Sequence, residues 1–362
     1  MTFSQCLRQK NMGSAWIYFY IHFLTEIVCF FTMSRLTGAS ADSLMLWFLP
    51  LFYDALAFVP QSILGHLSDR FPRLHLGIIG AVMLAASSAL FACNVFPQPF
   101  IPLIILCLGN CCLHVNGAEV TLRSCSGKLS HSAVFVAGGS FGVISGKLFA
   151  MITDQFWYMA FLSLTIIPFV LLAEPVDREG EERAHTDEQG PCAGFHYASA
   201  SISPAAVILI AVFVVVARGY MGYGIPTSWN KTTLQTVFLF CSMGLGKALG
   251  GILSDWIGVR KVAIGSLAVA FPLLLAGDQH MMISLTGVMF FSMTMSTTLA
   301  ILVSVLPSAP GLAFGLTTIG LFFGTVPIFF FRFSDFAVNC GVISLITALC
   351  IAGLAVVIPR RC

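Results

Sequence analysis

The spacing of the apolar runs constrains this chain more than any other feature. Segments of bilayer length recur at about 16–36, 44–64, 74–94, 100–120, 132–152, 156–173, 204–222, 232–252, 262–277, 281–303, 312–331 and 340–358. Crossing the hydrocarbon core takes about 20 apolar residues in a helix. Backbone in lipid must satisfy its own hydrogen bonds, so each run is predicted to be helical. The expectation is an all-α polytopic membrane protein with twelve transmembrane helices. Composition agrees, with 57% hydrophobic and 9% charged residues, where a soluble domain carries about 25% charged. So few charges cannot cover a soluble surface. That excludes a soluble enzyme, a nucleic-acid binder and a disordered chain. The first run follows Arg8 and Lys10. It is longer than a signal-peptide core of about 7–15 residues, and is predicted to remain as a membrane helix.

The longest connection, 174–203, holds seven acids together with Gly180, Gly190, Pro175 and Pro191. It reads as a solvated cytoplasmic linker between six-helix bundles at 1–173 and 204–362. Lys and Arg concentrate on one side of the predicted topology, where Arg70, Arg73, Arg123, Arg260 and Lys261 fall, and the other side has only Lys231 and Arg332. The positive-inside rule then places both termini in the cytoplasm. Minimal loops and no organelle-targeting extension predict a bacterial inner membrane.

Two loops match at an offset of 186 residues. Gly65-His-Leu67-Ser68-Asp69-Arg70-Phe-Pro72-Arg73 is echoed by Gly251-Ile-Leu253-Ser254-Asp255-Trp256-Ile-Gly258-Val-Arg260-Lys261. Equal spacing of Gly, Leu, Ser and Asp after the second helix of each half argues for two parallel six-helix repeats. These loops resemble the motif that the major facilitator superfamily carries once per half. The departures are Pro72 in place of Gly and Trp256 in place of Arg. The resemblance implies the two-bundle fold, action as a monomer, and a gating role for Gly65, Asp69, Arg70, Arg73, Gly251, Asp255, Gly258, Arg260 and Lys261. It also places Asp69 at the start of the eleventh helix near Gly311, and by pseudo-symmetry Asp255 at the start of the fifth. A carboxylate suits a helix N-terminus, which carries partial positive charge and unpaired N–H groups. Glu119 and Arg123, at i,i+4, are candidates to join the Asp69 contact.

A narrower resemblance runs through the fourth and fifth helices. Gly109-Asn110-Cys-Cys-Leu-His114, followed by Gly138-Gly139-Ser-Phe-Gly142-Val-Ile-Ser-Gly146, is similar to the fosmidomycin-resistance and drug-exporter branch. The resemblance implies close helix packing at Gly138, Gly139, Gly142 and Gly146. Val115 and Lys147 stand where that branch usually has proline.

Charges inside the apolar runs are costly, about 2.5–3.5 kcal/mol each on the insertion scale, and so mark candidate sites. Glu26 and Asp54 lie at similar depth in the first two helices, and their repeat partners are Val212 and Phe240. The fold therefore does not require acids there. Burial disfavours an ionised carboxyl in general, a property that a proton carrier needs. Glu26 and Asp54 are the proton-coupling candidates, with simple pairing to a cation or backbone group as the alternative. His22, Asn110, His114, Lys147 and Arg218 are the substrate-binding candidates. Lys147 suits an anion such as a phosphonate or carboxylate, or serves as counter-ion to an acid. Arg35, Arg218 and Lys247 are expected to snorkel or reach an interface. Phe329 to Phe331 are expected to face lipid or pack.

The cysteines show no spacing suited to zinc and read as small apolar residues. No metal, no cofactor and no catalytic signature is expected, and no phosphate loop supports ATP coupling. The leading expectation is a secondary transporter using the proton gradient to export a drug-like or anionic compound. The alternative is a symporter or facilitator importing an organic anion or nutrient, with a non-transporting sensor or scaffold third.

Overall fold

The computed structural model describes residues 12–39, 43–71, 73–186, 192–223, 232–330 and 335–360. Arg8, Lys10, Pro72, Lys231, Phe331 and Arg332, named above, lie outside them. Among the described residues all regular structure is helical. In chain order the helices are α1 (Met12–Ala39), α2 (Leu44–Arg70), α3 (Leu76–Ala92), α4 (Phe100–Arg123), α5 (Ser130–Ile152), α6 (Phe156–Thr186) and α7 (Pro204–Tyr223). They continue as α8 (Thr233–Ile257), α9 (Val259–Ala276), α10 (Met281–Val305), α11 (Pro310–Phe330) and α12 (Phe336–Val357). The twelve form two pseudo-symmetric six-helix bundles. Large apolar side chains such as Phe161, Ile63, Leu209 and Leu345 are exposed around the outside, which water would penalise and lipid favours.

Local chemistry explains the ends and breaks. Thr232 and Gln235 form a reciprocal capping box at the start of α8, and Asp335 caps α12 through the Val338 N–H. Such caps satisfy N–H groups that the first helical turn leaves unpaired. α2 breaks at Val59, before Pro60 begins its second piece, since proline has no N–H to continue the ladder. Gly258 turns the chain from α8 directly into α9 at φ 103°, a conformation that a Cβ would strain. Serine and threonine hydroxyls inside the bundles largely bond back to the preceding turn, as Thr25 does to Ile21 and Ser163 to Met159.

Two expectations change. α6 continues to Thr186, well into the predicted linker, because its Glu, Arg and Ala are good helix formers. The far end of that connection is not solvated. Cys192 and Phe195 are buried. Cys192 N–H donates to Pro307 O, and Tyr197 OH donates to Gly127 O at 2.6 Å.

Candidate functional site

The loop motifs sit at one end of the molecule, the motif face. Asp69 accepts hydrogen bonds from the N–H groups of Gly311 and Leu312 at 3.0 and 2.9 Å. Asp255 accepts from those of Leu129 and Ser130, both at 2.9 Å. Each carboxylate thus supplies, from the opposite half, the cap that α11 or α5 lacks in its own sequence. Glycine allows the required approach. A Cβ on Gly65 would lie 2.2 Å from Gly311 O, and one on Gly251 2.3 Å from the Ala133 Cβ. Ser68 donates to Glu119 at 2.8 Å, and Glu119 stands 3.9 Å from Arg123 with its other oxygen against Gly311. Arg70, Arg73 and Lys261 are exposed. Arg260 instead donates to Ala355 O and Ile358 O, tying α9 to the end of α12. Together these contacts close the motif face.

From mid-depth towards the opposite face, a cavity of about 350 Å³ separates the halves. Its wall includes Phe30, Asp54 and Lys147 from the first half and Phe240, Thr325 and Phe329 from the second. The Lys147 ammonium lies 5.1 Å from the Phe240 ring centre and 5.7 Å from that of Phe30, within cation–π range. Asp54 and Lys147 face this shared space without joining in an ion pair. Phe329 lines the cavity rather than facing lipid. Sequence periodicity missed it because α11 is apolar on every side.

Beneath the cavity wall, α1 and α4 bring four candidate residues together. His114 Nε2 lies 3.1 Å and His22 Nε2 3.8 Å from the same Glu26 oxygen, Oε1. Asn110 Nδ2 stands 3.3 Å from Glu26 Oε1 and 3.2 Å from the Tyr53 hydroxyl, which lines the cavity. His22, Glu26, Asn110 and His114 are all under 9% exposed. The glycine run seats α5 on this cluster. A Cβ on Gly138 would meet Phe19 O, one on Gly139 the His22 ring, one on Gly142 Phe23 O, and one on Gly146 Ile27 O, all at 2.5 Å or less. Ligand atoms of His22, Glu26 and His114 lie within 4.8 Å of one another, close enough to share a metal ion.

The remaining cations are placed elsewhere. Arg218 does not snorkel; it is 7% exposed in α7 and outside the cavity wall. Lys247 does not reach the interface either, but donates to Ser140 across the two halves at 2.8 Å. For Lys247 this inward-facing hydrogen bond wins over the longer route to water. Arg35 reaches the Ala150 carbonyl at 3.3 Å near the outer ends of α1 and α5.

Among solved structures, the chain is similar to the human organic anion transporter MFSD10 (TETRAN), with a TM-score of 0.65 and 10% identity over 96% of this chain and 100% of that one. It is also similar to FucP, a Major Facilitator Superfamily transporter in the outward conformation, with a TM-score of 0.54 and 15% identity over 94% of this chain and 96% of that one. No protein-family model matches the sequence. No curated protein matches it either. The fold is that of the major facilitator transporters.

Proposed function

We propose that the chain is a secondary active transporter that carries a small organic anion by alternating access, together with a proton. The observation supporting this most directly is the placement of Lys147 and Asp54 in one cavity between the halves. Lys147 supplies the positive charge for a carboxylate or phosphonate, and Phe30 and Phe240 offer apolar faces to the rest of the solute. Asp54 carries the proton. A proton on Asp54 removes the negative charge that would repel the anion, so each ligand raises the affinity for the other by the same factor. That coupling favours symport, and an inward proton gradient then drives uptake. The motif face is cytoplasmic in this reading, the protein acts as a monomer in a cell inner membrane, and the proton gradient is its driving force. With the Asp69 and Asp255 contacts made, the cavity faces outward; breaking both exposes it to the other side.

Export by proton antiport is the second reading, favoured by the likeness of the α5 glycine run to drug exporters. Antiport requires the proton to weaken solute binding, which suits a cation at Asp54 better than an anion at Lys147. Flux in proteoliposomes separates the readings, using carboxylates, phosphonates and cationic drugs under an imposed pH gradient. Accumulation of an anion with the proton gradient, lost in Asp54→Asn, is the expected result. Movement of a cation against the proton flow would establish antiport, and flux indifferent to pH would remove the proton from the mechanism.

A further inference from the structure

The His22–Glu26–His114 cluster lies behind Asn110 and the cavity-lining Tyr53, and the transport reading assigns it no task. Its geometry is specific. The Phe135 carbonyl lies 2.9 Å from His22 Nδ1, and the Asn110 carbonyl lies 2.9 Å from His114 Nδ1. A carbonyl only accepts, so each Nδ1 carries its proton. In the neutral rings each Nε2 therefore presents a lone pair, and both nitrogens lie within 4 Å of the same Glu26 oxygen. Three acceptors converge in a buried site. Glu26 Oε2 is fully enclosed and has no hydrogen-bond partner.

A single proton satisfies this arrangement only in part. Shared between His114 and Glu26 across 3.1 Å, it leaves His22 Nε2 at 3.8 Å with nothing to accept, and Oε2 still unpaired. A metal ion answers all three donors. In a tetrahedral site with metal–ligand distances near 2.0–2.2 Å, donor atoms stand about 3.4 Å apart, close to the two separations observed. Anchoring of each Nδ1–H on a carbonyl is also how metal-binding histidines are held in orientation. Two imidazoles and one carboxylate suit zinc and its first-row neighbours, whereas Mg²⁺ and Ca²⁺ take oxygen donors.

We propose that His22, Glu26 and His114 bind one divalent transition-metal ion of the zinc type, which pins α1 to α4 in the first half. The ion enters from the cavity along the polar seam of Tyr53 and Asn110, and its fourth ligand is water. Binding is independent of the transport proposal and is read without flux.

The test uses the full chain, purified in detergent without a polyhistidine tag and stripped with a chelator. Zn²⁺ added alone is expected to bind at one per chain and raise Tm. Co²⁺ is expected to give the visible absorption of a four- or five-coordinate centre. His22→Gln, Glu26→Gln and His114→Gln should each weaken Zn²⁺ binding by about tenfold or more. His75→Gln and His280→Gln, at exposed histidines, should not. Zn²⁺ binding that is absent, or equal in wild type and the three ligand variants, overturns the proposal. Should those variants fail to fold, the wild-type cobalt spectrum decides, and an octahedral aqua-type spectrum overturns it.

Discussion

Asp69 and Asp255 stand 186 residues apart and make the same contact in reciprocal directions. Asp69, in the first half, caps α11 of the second, and Asp255, in the second half, caps α5 of the first. Each carboxylate meets two backbone N–H groups at a helix N-terminus, so the motif face is held by two equivalent locks.

An anion in this setting is worth about 1–2 kcal/mol. Asp69→Asn keeps an acceptor but loses the charge. It should therefore shift the balance away from the closed motif face by about tenfold, and Asp255→Asn should do the same. Thiol labelling of a cysteine introduced beneath Gly311 reads the change. Unaltered labelling in both variants would show that the locks do not set the conformation.

Glycines on the two kinds of interface should behave differently. Gly65 meets Gly311 across the halves, whereas Gly142 meets Phe23 O within one half. Gly65→Ala should leave thermal stability nearly unchanged but prevent the motif face from closing as seen here. Gly142→Ala should destabilise the fold by about 1–3 kcal/mol, the usual cost of overpacking. Thermal unfolding and labelling, measured on both, separate the two effects.

In the cavity, Lys147→Ala should weaken binding of an anionic solute by about tenfold or more, with little change in Tm. The cation–π contacts it loses are worth only about 0.5–2 kcal/mol. Equal affinity in wild type and variant would return Lys147 to a packing role against Phe30 and Phe240.

The proton prediction has a definite sign. Wild-type uptake should rise as the pH on the cavity side falls, because the anion is carried with a proton. Asp54→Asn should abolish that dependence while sparing exchange of solute for solute. A variant that still follows pH would clear Asp54, and attention would pass to other groups.

Much of this was legible in the sequence because it repeats or costs energy. Asp69 and Asp255 announced themselves by equal spacing, and Glu26, Asp54 and Lys147 by their expense in lipid. His22 and Glu26 were paired by helical spacing alone. His114 joined them only once α4 was docked on α1, since 88 residues separate it from Glu26 and no local pattern carries that distance. Tyr53, Phe30 and Phe240 stayed hidden for a different reason. In an apolar helix, aromatic side chains that line a cavity read the same as those that face lipid. Phe240 at the repeat position of Asp54 was a usable signal, marking where the halves diverge.

The docked end of the connection between the halves bears on how such a chain can be cut or fused. Residues 192–199 bond to the second half at Pro307, Ser304 and Val357, and touch the first through Tyr197 and Gly127. That stretch travels with the second bundle as its leading edge. Separately expressed halves should therefore reassemble when the gene is divided between α6 and Cys192. They should not when the break falls after Ser199, which strands the clasp on the wrong fragment.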